Sequence, residues 1–219
     1  MPLVTMSYDV ENRLVQATHT YNGTDHYVYD PSNRRVWKQE PTRELIYFYG
    51  VDGTLLTTYR QQGQENVNNV YFAGKLIWQG GAGLGPATSD RLGSLTANYP
   101  YGEEYTTTDQ DTFKFATYYR DQTTTLDYAQ QRYYARTIGR FTSPDPGGTW
   151  TAKPANPASW NRYAYVQGDP VNGSDPTGLD PYFSSGQWSI PRHRTARSGR
   201  PAAGPAPAQS ACCARCEGR

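Results

Sequence analysis

The chain has 219 residues, with 21 basic and 20 acidic side chains, a near-neutral balance that argues against a general nucleic-acid binder. No run approaches the roughly eighteen consecutive apolar residues of a membrane helix, and charges interrupt Met1 to Arg13, where a secretory signal would be apolar. Leu, Ile, Val and Phe supply only 14% of the chain, below the roughly 20% usual in globular domains.

Nineteen Tyr, six Phe and five Trp stand where the aliphatics are missing. A tyrosine buries a large ring, keeps a wet hydroxyl and suits a pleated, half-buried surface. With 21 Gly and 16 Pro as punctuation, the composition predicts an all-β protein of short strands and many turns.

From the N-terminus, Tyr8-Asp9-Val10-Glu11-Asn12-Arg13-Leu14 is echoed by Tyr29-Asp30-Pro31-Ser32-Asn33-Arg34-Arg35-Val36, 21 residues on. A degenerate copy follows at Tyr49-Gly50-Val51-Asp52-Gly53-Thr54-Leu55-Leu56, and a weaker one at Tyr71-Phe72-Ala73-Gly74-Lys75-Leu76. Each unit reads as an aromatic strand end, a turn cluster and a second strand, which predicts stacked β-hairpins. Period-2 alternation places Tyr27 with Tyr29, and Tyr47 with Tyr49, on one face.

Residues 80–90 are a Gly-rich loop, and residues 91–145 alternate short aromatic strands with polar turns. Thr117 to Arg136 is the one stretch suited to a helical turn, although its Thr run and paired tyrosines weigh against it. Pro144 to Pro181 reads as an ordered but irregular loop. His19, His26 and His193 lie in polar contexts and are expected at the surface. After Leu179 the composition changes: six Arg against Asp180 and Glu217 leave the body about three charges negative, and residues 180–219 are expected to be disordered. Cys212, Cys213 and Cys216 include a Cys-x-x-Cys spacing but have no neighbouring His, so no metal and no cofactor is expected. The Arg192, Arg194, Arg197 and Arg200 cluster reads as a solvated tail.

Further elements carry a family resemblance. They are Asp90-Arg91-Leu92-Gly93-Ser94, Tyr101-Gly102-Glu103, Leu126-Asp127-Tyr128 leading to Arg132-Tyr133-Tyr134, and Gly139-Arg140-Phe141-Thr142-Ser143-Pro144-Asp145-Pro146. Asn161-Arg162-Tyr163-Ala164-Tyr165, Asp169-Pro170-Val171-Asn172 and Asp175-Pro176-Thr177-Gly178-Leu179 follow. In this order they resemble the Rhs, or YD-repeat, family, with residues 90–179 similar to its repeat-associated core domain. The implied division is hairpins over 1–89, core domain over 90–179 and a variable tail over 180–219. The resemblance implies a partial β-shell ending in an irregular plug, and a chain secreted or displayed at the cell surface. It also implies intramolecular cleavage after Asp-Pro-x-Gly-Leu by Arg132, Asp145 and Asp175, at the Leu179–Asp180 bond. Pro176, Gly178, Tyr133, Tyr134 and Arg140 are the supporting residues of those motifs.

The residue chemistry is compatible with that role. Two carboxylates sharing a proton can hydrolyse a peptide without metal or nucleophile, and an arginine can orient one of them bidentately. Pro176 and Gly178 would shape the turn that presents the bond. Most Asp-Pro pairs are turn initiators, and for Asp145 and Asp175 that reading stands beside the catalytic one. The implied partners are the chain's own tail as substrate and the rest of an Rhs shell or a delivery apparatus. The alternative is a non-catalytic β-repeat module making carbohydrate or protein contacts. Three or four units are too few for a closed cage, so the chain is expected to be a truncated copy, a displaced cassette or the end of a longer assembly.

Overall fold

A computed structural model describes residues 4–81, 84–108, 111–148 and 152–179, together with the backbone of 182–183. The Arg-rich and Cys-containing tail, His193 and Asp180 lie outside these residues. Eight strands come first: β1 (Val4–Tyr8), β2 (Leu14–His19), β3 (Gly23–Tyr29), β4 (Arg35–Gln39), β5 (Glu44–Tyr49), β6 (Leu55–Arg60), β7 (Glu65–Phe72) and β8 (Lys75–Gln79). Each pairs with its sequence neighbours, making one antiparallel meander.

The repeated residues explain the hairpins. Asp9 Oδ1 accepts from the backbone N–H groups of Glu11 and Arg13, both at 2.9 Å, and Asp30 Oδ1 accepts from Ser32 at 2.8 Å and Arg34 at 2.9 Å. The residue three places further on, Asn12 or Asn33, turns the chain with positive φ, where Asn is tolerated. Asp90 repeats the arrangement with Leu92 and Ser94, both at 2.8 Å, and Gly93 takes the positive φ. The strand register shifts at Tyr8, Tyr29, Tyr49 and Tyr71, so a bulge falls at each of these tyrosines. The hydroxyls of the last three then stitch successive hairpins. Tyr29 donates to the Leu14 carbonyl at 2.6 Å, Tyr49 to Arg35 at 2.8 Å and Tyr71 to Leu55 at 3.1 Å.

A second antiparallel sheet has the order β13-β12-β11-β10-β9, formed by β9 (Thr112–Phe113), β10 (Tyr119–Arg120), β11 (Asp127–Tyr128), β12 (Tyr133–Ala135) and β13 (Arg140–Phe141). Three of its strands, β10 to β12, occupy the stretch suited to a helical turn. Adjacent tyrosines point to opposite faces of a strand, and here both faces are buried. Tyr119, Tyr128 and Tyr133 pack with Leu14, Tyr27, Tyr47 and Leu55 of the large sheet. Tyr118, Tyr134 and Phe141 pack on the other side with Phe115, Tyr165 and Val166. Among its described residues, the Pro- and Gly-rich segment that follows includes the short 3-10 turns Pro157–Trp160 and Val166–Gly168. A last hairpin joins β14 (Gly173–Ser174) to β15 (Tyr182–Phe183).

His19 departs from expectation: it is buried, with Nε2 3.3 Å from Asp25 Oδ2. The 121–125 loop meets the same carboxylate. Its Thr123 hydroxyl bonds Asp25 and accepts from Lys38 Nζ at 3.0 Å. His26 is exposed, as expected. On the outer face Val28, Trp37, Ile46 and Tyr59 lie in register across β3 to β6, with Val28, Phe48 and Leu56 exposed nearby.

Candidate functional site

Three chain segments meet at Arg132, which immediately precedes β12. Its guanidinium is buried, with its carbon 3.6 Å from the centroid of the Phe141 ring on β13. Flat stacking of this kind fixes the plane of the guanidinium and therefore the directions of its donors. Nη2 lies 3.2 Å from Asp175 Oδ2 and 3.8 Å from Asp145 Oδ2, so one nitrogen serves both carboxylates. Nη1 donates to the Arg162 carbonyl at 3.0 Å, and Nε donates to the Gly178 carbonyl.

Each carboxylate is also held from its own side. Asp145 Oδ1 accepts from the Gly147 N–H at 2.7 Å, the turn capping expected of Asp before Pro. The Asp145 N–H donates to the Arg162 carbonyl at 3.0 Å, and the Arg162 side chain returns a bond to the Asp145 carbonyl. Asp175 Oδ1 accepts from the Leu179 N–H at 3.0 Å, and the Gly178 N–H donates to the Asp175 carbonyl at 3.2 Å. Turn-forming and Arg-facing roles are thus combined in the same two residues.

The Asp175–Leu179 segment is therefore a tight turn seated on the small sheet. Gly178 has a φ of +70°, and a Cβ there would lie 2.8 Å from the Ala129 carbonyl oxygen. Glycine is required on both counts. The Gln131 N–H donates to the Thr177 carbonyl at 3.1 Å, so residues 129–132 line one side of the turn. Beyond it, Tyr182 and Phe183 return to pair with Ser174 and Gly173, and the Leu179–Asp180 bond falls in the connection between the two paired strands.

The other motif residues serve elsewhere. The Tyr133 hydroxyl accepts from Arg35 at 2.9 Å on the face toward the large sheet. The Tyr134 hydroxyl donates to the Tyr101 carbonyl at 2.9 Å. Arg140 is exposed and, with Glu103, Arg136 and Asn161, lines a shallow groove of about 480 Å³. A cavity of about 10 Å³ adjoins Arg132 on the side of the first hairpin turn, between Asn12, Gln131 and Ser143, and neither Asp145 nor Asp175 lines it. Sequence reasoning passed over Phe141 as the platform for Arg132, and Tyr118, which reaches the Asp175 carbonyl. Neither residue carries a signal that separates it from an ordinary core aromatic. Among the described residues, no group of three or more His, Cys, Asp or Glu gathers as a metal site.

No protein-family model matches the chain. Among curated proteins it is similar to the tRNA3(Ser)-specific nuclease WapA of Bacillus spizizenii, 30% identical over 190 residues and 81% of this chain. It is likewise similar to the tRNA nuclease WapA of Bacillus subtilis, 30% identical over 202 residues and 80% of this chain. The chain spans 8% of the length of each of these relatives. Among solved structures it resembles TcdB2-TccC3-Cdc42, with a TM-score of 0.57 and 22% identity over 80% of this chain and 10% of that one. It also resembles the Tc holotoxin pore of Photorhabdus luminescens, with a TM-score of 0.53 and 21% identity over 84% of this chain and 10% of that one. The likeness to these structures is one of fold: antiparallel sheets built from successive hairpins.

Proposed function

We propose that this chain is the C-terminal part of an Rhs-type polymorphic toxin or shell protein, and that it cuts itself once, between Leu179 and Asp180, to release the variable segment 180–219. One observation carries the reading: a single guanidinium nitrogen of Arg132 faces both Asp145 and Asp175, while Nε of the same side chain holds the Gly178 carbonyl, one residue before the bond. The similarity to WapA nucleases and to TccC3 assemblies supports the toxin setting. One of those assemblies, TcdB2-TccC3, is solved without its hypervariable C-terminal region.

In the proposed step, water adds to the Leu179 carbonyl carbon while one carboxylate takes its proton. The other, protonated, donates to the carbonyl oxygen. Collapse of the tetrahedral intermediate breaks the C–N bond, and the proton taken from water passes to the Asp180 nitrogen. One water is consumed, leaving a carboxylate on Leu179 and a new amino terminus on Asp180. The acid and base roles belong to the coupled pair rather than to either residue. Covalent continuity with the substrate supplies proximity, so modest chemistry suffices for a single turnover. The substrate is the chain's own tail, and the toxin setting implies delivery outside the producing cell.

A second reading, a non-catalytic contact module for carbohydrate or protein, is favoured by the apolar row on the outer sheet face around Val28 and Phe48. One experiment decides between them. The chain is expressed with a C-terminal tag, and intact masses are taken for the parent, Asp145→Asn and Asp175→Asn. Cleavage after Leu179 in the parent, lost in both variants, supports the proposal. A parent that stays whole while giving a strand-rich circular dichroism spectrum overturns it in favour of the contact module.

A further inference from the structure

We infer that Tyr118 is a positioning residue for this cleavage: its buried hydroxyl, bonded to the main-chain carbonyl of Asp175, sets the carboxylate of that residue against Arg132. The inference rests on the self-cleavage reading and assigns a role to a side chain outside the Arg132, Asp145 and Asp175 set.

The turn from Asp175 to Gly178 is held through three of its carbonyls. Arg132 Nε donates to Gly178, the Gln131 N–H donates to Thr177 and the Tyr118 hydroxyl donates to Asp175. The first two contacts come from a single short stretch and hold the far end of the turn. Tyr118 alone of the three grips the residue that carries the carboxylate. Fixing a main-chain carbonyl fixes the Cα–Cβ bond beside it, and so limits where the carboxylate oxygens can lie. Those oxygens are already engaged, one by the Leu179 N–H at 3.0 Å and the other by Arg132 at 3.2 Å. A shift of the Asp175 main chain would break one of these contacts to keep the other.

Tyr118 is well suited to hold its position. It is fully buried, and its ring packs edge-on or tilted against Phe115, Tyr134 and Tyr165 at centroid distances of 6.0 to 6.3 Å. A tight turn presents it: the Tyr118 N–H bonds the Phe115 carbonyl at 2.7 Å, with Ala116 and Thr117 at positive φ. Non-glycine residues adopt that conformation only under support. The support comes from the Asp90–Ser94 turn, where Ser94 Oγ accepts from the Ala116 N–H at 3.0 Å and the Gly93 carbonyl accepts from the Thr117 N–H at 3.2 Å. At Gly93 a Cβ would come within 2.6 Å of the Thr117 methyl. A line of contacts thus runs from the Asp90–Ser94 motif through Tyr118 to the Asp-Pro-x-Gly-Leu turn. Burial pushes the Tyr118 hydroxyl far above its ordinary pKa, so it remains a proton donor throughout the range in which carboxylates work.

The test uses the full chain, translated in a cell-free system, pulse-labelled and chased while cleavage after Leu179 is followed. Tyr118→Phe removes one hydroxyl and nothing else. Tyr119→Phe is the matched control: the neighbouring tyrosine is also buried, but its ring packs on the opposite face of β10, toward the large sheet and away from the turn. Tyr118→Phe is expected to slow cleavage by roughly ten- to a hundredfold, while Tyr119→Phe cleaves as the parent does. The acid limb of the pH–rate profile is expected to move in Tyr118→Phe alone, because only there does the carboxylate leave Arg132. Equal slowing of the two variants with unmoved profiles would make Tyr118 merely structural, and parental rates in Tyr118→Phe would remove its role altogether. A parent that never cleaves overturns the underlying reading and this inference with it, an outcome distinct from a cleaving parent with a cleaving Tyr118→Phe.

Discussion

Arg35 and Asp121, 86 residues apart in the chain, form a fully buried ion pair of 2.7 Å where the two sheets meet. The guanidinium sits 4.4 Å from the ring centroids of both Tyr47 and Tyr128, with Tyr27, Tyr119 and Tyr133 completing the cage. A buried charge is tolerated only when paired, and the electron-rich ring faces add to what Asp121 supplies. The composition-level exchange of leucine for tyrosine thus builds a core able to hold a cation.

Removing one partner leaves the other charged and unpaired. Asp121→Asn is expected to cost about 3–5 kcal/mol in urea denaturation, and Arg35→Met a comparable amount. The double variant Arg35→Met/Asp121→Leu is expected to lose less than the sum of the single changes. Strict additivity would show that the two residues do not act as a pair.

The same seam gives a pH dependence. Burial opposes the charge on Asp121, but Arg35 and Lys38 outweigh it; on Glu40, Arg43 and Lys38 do the same, so both carboxyls titrate below their ordinary values. A depressed carboxyl contributes stability that is complete above its unfolded pKa of about 4 and is lost as pH falls through the lower folded value. Burial raises Asp111 and Asp127 instead, and their contribution runs the other way: present at low pH and lost as pH rises through their raised values. Below about pH 4 the stability of the parent is expected to fall more steeply than that of Asp121→Asn, measured by chemical denaturation at each pH. Parallel slopes would remove Asp121 as a source of the acid limb.

Gly178→Ala is expected to abolish the proposed cleavage, because the added methyl meets the Ala129 carbonyl at 2.8 Å and φ is +70°. Gly148→Ala is the comparison: φ there is +64°, but nothing lies within 4 Å of the new atom. It should show only the conformational cost, of order 1 kcal/mol, with cleavage kept. Intact mass and thermal midpoint, measured together, separate the two outcomes.

Arg132→Lys keeps the charge but loses the fork that reaches Asp175, Asp145 and the carbonyls of Arg162 and Gly178. An ammonium cannot reproduce planar donors stacked on Phe141. The proposed cleavage, followed in the pulse-chase assay, is expected to drop roughly a hundredfold. A near-parental rate would mean that charge alone suffices.

The hairpin stitches are open to a simpler test. Tyr29→Phe and Tyr49→Phe each remove a hydroxyl bonded to the carbonyl that opens the preceding hairpin's second strand. Each is expected to cost about 1 kcal/mol in denaturant unfolding, and the two to be nearly additive. A neutral result at both sites would assign hairpin stacking to ring burial alone.

Much of the scaffold was legible in the residues. Asp9 and Asp30 followed three places on by Asn12 and Asn33, and the pairs Tyr27/Tyr29 and Tyr47/Tyr49, marked turns and an inward face because turn chemistry and strand alternation are local. Thr117 to Arg136 was read less well. Its paired tyrosines signal strands only once both faces are known to be buried, one against Tyr27 and Tyr47 and the other against Phe115 and Tyr165. His19 sits in a polar local sequence, yet it is buried beside Asp25, which also meets Thr123 from 98 residues further along the chain.

The site divides in the same way. Sequence by itself, through the family resemblance of its motifs, singled out Arg132, Asp145 and Asp175 as candidates with Gly178 in support, and showed that the composition changes after Leu179. Tertiary structure alone decided that one nitrogen of Arg132 faces both carboxylates, that Phe141 sets the plane of the guanidinium and that Tyr118 reaches the Asp175 carbonyl from 57 residues away. Turn preference and strand period act over a few neighbouring residues. The meeting of distant side chains is set by how one sheet packs on another, and no local pattern in the chain encodes it.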